Sequence, residues 1–104
     1  MKKNAIVNLQ GGLGNQIFQI AFALELKSRN IRTLCDIHFY DSNMQFPRNL
    51  ELNPKEFGIN TVRYKNNKLF SMMNSLFQEI DSFNFDDLKY FNRFVGYYQD
   101  FMIL

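Results

Sequence analysis

The sequence predicts an α/β domain with a mainly parallel sheet, because three successive segments follow the order strand, helix, strand. Residues 4–9 are rich in apolar and β-favouring side chains and stop at a glycine pair, which is typical of a short strand. Residues 16–29 contain neither proline nor glycine and predict a helix, and residues 33–39 predict a second strand. Such a βαβ unit joins two parallel strands by a right-handed crossover.

The predicted helix has assignable ends and a wide apolar surface. Asn15 is the expected N-cap, and Asn30 is the expected C-terminal stop. Apolar side chains surround most of the helix, which favours a position covered on two sides. The residues expected to face the core are Ile17, Ile20, Ala21 and Leu24, with Phe18, Phe22 and Leu26 widening that face.

The second half of the chain is less regular. Residues 41–53 are polar, contain a proline and predict a loop, and residues 61–63 predict a short strand. Residues 69–83 carry leucine, methionine and phenylalanine at helical spacing, so we expect a helix that packs on the core. Residues 94–98 predict the last strand.

Length and composition limit the classes of function. A chain of 104 residues has room for one small domain. Its formal net charge of +2 is too small to indicate a nucleic-acid partner. The single cysteine excludes an internal disulfide and fits a reducing compartment, and no segment has the length and character of a secretory signal or a membrane span. We therefore expect a soluble, cytoplasmic protein.

A glycine-rich segment between the first strand and the helix is the main candidate site. Gly11, Gly12 and Gly14 lie within four positions, where they allow unusual backbone angles and expose main-chain N–H groups. Asn15 and Gln16 add side-chain amides that can donate to phosphate or sugar oxygens. These residues alone fit an anion-binding loop and also fit a tight turn without a ligand.

Two common nucleotide-binding motifs do not match this segment. Gly12 and Gly14 align with the first two glycines of the dinucleotide fingerprint, and Asp36 stands where its ribose-binding acid would stand. Ile17, however, occupies the position of the third glycine, which close packing of helix on strand requires. No Lys-Ser/Thr pair follows the glycines, so the segment is not a Walker loop either.

Other chemistry-bearing residues are isolated. Cys35 and His38 have the spacing of two zinc ligands but no third or fourth ligand nearby, so we expect structural roles for both. Asp36 and Asp41 are candidates for a general base, although carboxylates at strand ends are also common as structural groups.

Residues 10–19, Gln-Gly-Gly-Leu-Gly-Asn-Gln-Ile-Phe-Gln, closely resemble a known family signature. It is the N-terminal signature of the bacterial α-1,2-fucosyltransferases, glycosyltransferase family 11, whose common form has Met in place of Ile. The Ala-Phe-Ala-Leu of residues 21–24 is similar to the alanine-rich helix that follows in the family. Weaker similarities occur at residues 48–59, to Arg-x-Tyr/Phe-Glu-Leu followed by Phe-x-Ile, and at residues 95–99, to Leu-x-Gly-Tyr-Trp-Gln.

The resemblance implies a fold, a reaction and a donor site. It implies a Rossmann-like three-layer domain like the N-terminal half of a GT-B glycosyltransferase. It also implies transfer of fucose from GDP-β-L-fucose to the 2-hydroxyl of a galactoside, with inversion and without a metal ion, in glycan biosynthesis. The implied donor-binding residues are Gly11, Gly12, Gly14, Asn15 and Gln16, with capping of the helix as the alternative role for Gln16.

The chain departs from the family in one respect. The family's donor motif, His-x-Arg-Arg-x-Asp, does not occur in the sequence. We therefore expect residues 1–104 to form the N-terminal, acceptor-side domain of a fucosyltransferase, incomplete and inactive alone, with the C-terminal GDP-fucose-binding domain absent. No catalytic residue is assigned. The resemblance also implies lipid-linked glycan acceptors and peripheral attachment at the cytoplasmic face of the inner membrane. The alternative is a module without catalysis: a small nucleotide-binding module, or a partner-binding module that pairs with a separately encoded C-terminal half.

Overall fold

The chain forms an α/β structure with one parallel sheet, as the sequence predicts. A computed structural model describes residues 2–41, 49–63, 78–80, 88 and 90–95. The elements are β1 (Asn4–Asn8), α1 (Leu13–Ser28), β2 (Arg32–Asp36), β3 (Asn60–Val62), β4 (Gln78–Ile80) and β5 (Phe91–Phe94), with 3₁₀ turns at His38–Asp41 and Pro54–Phe57. The strands lie in the order β3-β2-β1-β5-β4, and every neighbouring pair is parallel.

The predicted βαβ unit is present, and its helix covers one face of the sheet. β1 and β2 are neighbours, with Ala5 opposite Thr33 and Val7 opposite Cys35. Because alternate residues of a strand point to opposite faces, Val7 and Cys35 share the face that α1 covers. Asn8 and Asp36, which are also opposite each other, lie on the other face.

The core lies between α1 and the sheet. Phe22 of α1 meets Phe94 of β5 edge to face, with ring centroids 4.9 Å apart and planes at 82°. This geometry is the favoured one for aromatic pairs and adds to the gain from burial. The buried residues of the core cluster are Ala5, Val7, Leu9, Ile20, Phe22, Ala23, Leu26, Ile31, Cys35, Ile37, Ile59, Leu88 and Phe94.

The start of α1 differs from the prediction. The N-cap is Gly12, in an extended conformation, and Asn15 lies inside the first turn, so the predicted N-cap at Asn15 is wrong. The predicted inward position of Ile17 is also wrong, because 49% of its surface is exposed. The buried side at this end of the helix contains Gln16 and Gln19 instead, whose amides bond to backbone groups.

The end of α1 confirms the predicted stop at Asn30. Asn30 has a φ of +64°, in the left-handed region that asparagine tolerates better than most residues. Its N–H donates to the carbonyl of Lys27 at 3.0 Å, and the N–H of Ile31 donates to the carbonyl of Leu26 at 3.2 Å. These two bonds form a Schellman motif, completed by the buried side chains of Leu26 and Ile31.

The second strand is shorter than predicted. β2 ends at Asp36, and His38–Asp41 forms a 3₁₀ turn in place of a strand that continues to residue 39. The cause is local, because the Asp36 carboxylate accepts the backbone N–H of His38 at 3.1 Å. A bond of this kind competes with the strand hydrogen-bonding pattern.

For the second half of the chain, the structure confirms one predicted strand and corrects two other predicted elements. The strand predicted at 61–63 is confirmed by β3, displaced by one residue. The helix predicted over 69–83 is wrong at residues 78–80, which form β4, and its other residues lie outside the described part. Apolar periodicity alone does not reliably distinguish a strand from a helix. The last strand occupies Phe91–Phe94 rather than 94–98, and residues 96–98 lie outside the description, as do 42–48 of the predicted loop.

Within the described ranges, no helix combines the length and apolar character needed to cross a membrane.

We predict that Cys35 is unreactive in the folded protein. The side chain is fully buried, and burial raises the pKa of its thiol to about 12, with a smaller contribution from the Asp36 carboxylate. The reactive thiolate is therefore almost absent at pH 8. Ellman's reagent should label one thiol per chain in concentrated guanidinium chloride and almost none in native buffer. Rapid labelling of native protein would show that the core around β2 is open.

Candidate functional site

The glycine segment lies at the edge of the sheet where parallel strands end. It follows β1, the central strand, from which the chain moves to β2 and β3 on one side, while β5 and β4 lie on the other. In open α/β sheets, ligands bind outside the carboxyl ends of the strands, where the strand order reverses around such a central strand. The segment predicted from sequence therefore occupies the position at which this class of sheet binds ligands.

The backbone of residues 10–14 requires glycine at position 11. Gly11 has a φ of +85°, and a Cβ there would lie 2.7 Å from Nδ2 of Asn15. Gly12 then caps α1, and because it has no side chain it supplies no acceptor to the first helical turn. The first turn also contains no acidic side chain. No acidic side chain of that turn therefore offsets the positive end of the helix dipole.

Gly14 has no packing reason to be glycine. It is exposed within α1, and a Cβ built there meets no atom within 4 Å. Glycine inside a helix costs about 1 kcal/mol relative to alanine. On either side of it in sequence, Leu13 and Ile17 are 47% and 49% exposed. The start of α1 therefore presents bare backbone beside two exposed aliphatic side chains.

Gln16 fastens the loop to a distant segment of the chain. Its side chain is fully buried, and its Nε2 donates to the carbonyls of Gly11 at 3.2 Å and Asn49 at 2.8 Å. Its Oε1 accepts the backbone N–H groups of Glu51 at 2.8 Å and Leu52 at 3.3 Å. These four bonds use the hydrogen-bonding capacity of a primary amide. Gln16 therefore holds the loop in position through buried hydrogen bonds to residues 49–52.

Two further side chains fix the loop, and sequence reasoning assigned neither of them to the site. Oη of Tyr40 donates to the carbonyl of Gly11 at 3.0 Å. Oε1 of Gln19, which is fully buried, accepts the N–H of Gln10 at 3.0 Å. The spacing of Gln16 and Gln19, three residues apart on an apolar helix, was the available signal, because buried amides need fixed partners.

A buried charged cluster lies beside the loop at the same edge. Asp36 has a fully buried side chain, and its Oδ1 contacts Nδ1 of His38 at 3.0 Å. Its Oδ2 accepts from Nη1 of Arg93 at 3.1 Å, and the same Nη1 donates to Oδ1 of Asn8 at 2.6 Å. Burial of such charges is tolerated when they are paired and hydrogen-bonded. The cluster joins the ends of β1 and β2 to β5.

The two candidate bases have different surroundings. Asp36 is enclosed by the cluster and does not reach solvent. Asp41 pairs with Nε of Arg63 at 2.8 Å, and both side chains are partly exposed. Direct proton transfer from a substrate is therefore open to Asp41 but closed to Asp36.

The structure does not bring Cys35 and His38 together as metal ligands. Cys35 lies in the core under α1, whereas His38 bonds to Asp36, which lies on the other face of the sheet. Among the described residues, no group of three or more histidine, cysteine and acidic side chains is placed to hold a metal ion.

A cavity of about 680 Å³ opens at the other end of the strands. Its lining includes the cationic residues Lys2, Lys27 and Arg32 together with Ile6 and Phe91. This cavity lies at the amino-terminal ends of β1, β2 and β5, so it is separate from the glycine loop.

We predict that Gln16→Ala destabilises the fold by about 2–4 kcal/mol, because several backbone groups lose their buried partner at about 1–3 kcal/mol each. Urea unfolding followed by circular dichroism measures the change. Glu25→Ala is the control on the same helix, since its ion pair with Arg29 is half exposed and contributes under about 0.5 kcal/mol. Equal losses for the two variants would contradict a clamping role for Gln16.

We compared the chain with protein-family models, with curated proteins and with solved structures, and none of these comparisons gave a match.

Proposed function

We propose that this chain forms the glycine-loop wall of a GDP-fucose site in an α-1,2-fucosyltransferase. The observation that carries the proposal is the start of α1, where Gly12 and Gly14 leave the backbone bare and the first turn lacks an acidic side chain. The sequence of residues 10–19, which resembles the fucosyltransferase signature, covers this same structure. A diphosphate is the kind of ligand that uncapped N–H groups at a helix start accept.

The proposed reaction gives the loop a specific electrostatic task. When the bond between fucose and GDP breaks, negative charge develops on the β-phosphate. Backbone N–H groups of Gly12, Gly14 and Asn15 stabilise that charge, and the helix dipole adds to their effect without a metal ion. Gln16 contributes by holding the loop rigid, because its own amide is fully used within the protein.

Exposed aliphatic side chains provide a second kind of contact. Leu13 and Ile17 lie one turn apart on α1, so they share one side of the helix near Gly14. Their exposed surface suits the apolar face of a sugar or base carried by the diphosphate. The donor would then be held by backbone at its phosphates and by these side chains at one end.

In the proposed enzyme, this chain is a GT-B-type domain, and a second domain completes the donor site. The strand order β3-β2-β1 is that of the first half of a Rossmann-like fold, which supports a GT-B-type domain, although β5 rather than β4 is the next neighbour of β1. The guanidinium groups of a His-x-Arg-Arg-x-Asp motif would come from a second domain, since this sequence lacks the motif. The acceptor is a galactoside, as a free sugar or on a lipid-linked glycan.

Nucleotide titrations of the ¹⁵N-labelled chain test the donor site. GDP and GDP-fucose should shift the backbone amide signals of Gly12, Gly14 and Asn15, and NAD should not. Binding of NAD without GDP would overturn the proposal in favour of a different nucleotide module. Incubation with radiolabelled GDP-fucose and lactose should give no transfer by residues 1–104 alone, and turnover would show that one wall suffices.

We predict opposite effects of Gly14→Ala on stability and on binding. Alanine raises the free energy of unfolding by up to about 1 kcal/mol, because it favours the helix and meets open space. The same methyl group tilts toward the helix N-terminus, where the diphosphate would sit, and should weaken GDP binding by about tenfold or more. Calorimetry measures binding, with Glu25→Ala as the control on the far turn of α1. Unchanged GDP affinity in Gly14→Ala would contradict phosphate contact at this position.

A further inference from the structure

We infer that His38, oriented by the buried Asp36, is the base that receives the proton of the acceptor hydroxyl. This inference rests on the proposed function, because it supplies the step that an inverting transfer requires and the glycine loop does not provide. The sequence alone makes Asp36 a candidate for that task and predicts a structural role for His38. The geometry instead makes His38 the base and Asp36 the residue that orients it.

The exposure of the two side chains separates the acting group from the orienting group. The His38 side chain is 40% exposed, whereas the Asp36 side chain is 0% exposed. Of these two side chains, the histidine is the one that a substrate can reach. Asp36 acts through it, so Asp36 is a positioning residue.

The hydrogen bonds set the form of the imidazole. Oδ1 of Asp36 accepts the backbone N–H of His38 at 3.1 Å and lies 3.0 Å from Nδ1 of the ring. A carboxylate only accepts hydrogen bonds, so Nδ1 carries the proton and Nε2 keeps a lone pair in the neutral ring. The same arrangement of a carboxylate behind a histidine orients the base in hydrolytic triads.

The charged groups around the pair hold it in place. Nη1 of Arg93 bonds to Oδ2 of Asp36 at 3.1 Å and to Oδ1 of Asn8 at 2.6 Å, so the carboxylate is fixed from the sheet side. On the turn that carries His38, Asp41 is paired with Arg63. When His38 gains a proton, Asp36 provides the adjacent negative charge that stabilises the imidazolium.

His38 and the glycine loop are linked by two short connections. The 3₁₀ turn that carries His38 also carries Tyr40, whose hydroxyl bonds to the carbonyl of Gly11 at 3.0 Å. The carbonyl of Asp36 accepts the N–H of Leu9 at 2.9 Å, immediately before the loop. The proposed base and the proposed phosphate site are therefore connected at the same edge of the sheet.

The step balances as an inverting displacement. The O–H bond of the galactoside 2-hydroxyl breaks, and its proton moves to Nε2 of His38. The oxygen forms a bond to the anomeric carbon of fucose while the bond from that carbon to the β-phosphate oxygen breaks. The electron pair leaves on GDP, where the N–H groups at the start of α1 meet the new charge. General-base assistance of this kind accelerates a reaction about 10²–10⁴-fold.

His38 is the only histidine in the chain, so its signals and reactions are unambiguous. Imidazole ¹⁵N spectra of the neutral ring should show the proton on Nδ1. Diethyl pyrocarbonate should modify one histidine in the native chain, and saturating lactose should slow that modification at least fivefold, whereas maltose should not. A proton on Nε2, modification only after unfolding, or equal effects of the two sugars would each overturn the inference.

Two variants separate the base from a structural role. His38→Asn keeps an amide N–H at the place of Nδ1, so it should fold and bind GDP as the wild type does while losing the modification. In Asp36→Asn, the orientation that keeps the amide oxygen on Arg93 turns the NH₂ group to the ring and loses the bond to the backbone N–H of His38, so the proton should move to Nε2. If Asp36→Asn does not fold, His38→Asn and the wild-type tautomer still decide the matter. Loss of the fold in His38→Asn would overturn the inference in favour of a structural histidine.

The same samples distinguish this inference from the proposed function. GDP-induced shifts at Gly12 and Gly14 report the donor site independently of His38. Shifts with GDP but a proton on Nε2 would remove the base and leave the donor site standing. Absence of any GDP shift would remove the proposed function and, with it, the transfer step assigned to His38.

Discussion

The side-chain amide of Gln16 is the interaction on which the rest of the site depends. It lies in the first turns of α1, out of contact with water, and bonds both to the loop before the helix and to residues 49–52. Glycines at positions 11, 12 and 14 give a loop with few side-chain contacts of its own, so its shape has to be imposed from outside. Gln16 imposes it by joining segments that are more than thirty residues apart. The chemistry proposed for the loop is available because its backbone is already fixed before a ligand arrives.

The loop and the Asp36 cluster carry charge of opposite sign at one edge of the sheet. The loop offers partial positive charge from backbone groups that no side chain of the cap neutralises. The cluster encloses a full negative charge and balances it with Arg93. Both places are held by hydrogen bonds within the protein, so their charges are in position without rearrangement of the chain. The cost is a polar interior in a small domain, which is tolerated because the polar contacts are specific.

The sequence was sufficient for the features that depend on local pattern. The βαβ unit followed from apolar runs and from the glycine pair, and the helix stop at Asn30 followed from the conformational tolerance of asparagine. The features it did not predict depend on distant partners. Arg93 reaches Asp36 across 57 positions, and only the placement of β5 beside β1 brings them together. Buried glutamines on α1 were missed because an apolar pattern gives no weight to polar residues that fill their hydrogen bonds. Residues 78–80 form a strand although the apolar spacing around them predicts a helix, because pairing with β5 in the sheet outweighs the local preference.

The lengths of the outer strands have a consequence for how copies of this chain meet one another. β3 and β4, at the two margins of the sheet, contain three residues each, whereas the central β1 contains five. A margin strand presents unpaired N–H and C=O groups that recruit other chains into cross-β assemblies. Among the described residues, each margin strand offers only three residues, fewer than the six-residue segments that stacked fibrils use. Within the described part of the chain, the longest backbone ladders therefore lie inside the sheet, where they are already paired on both sides.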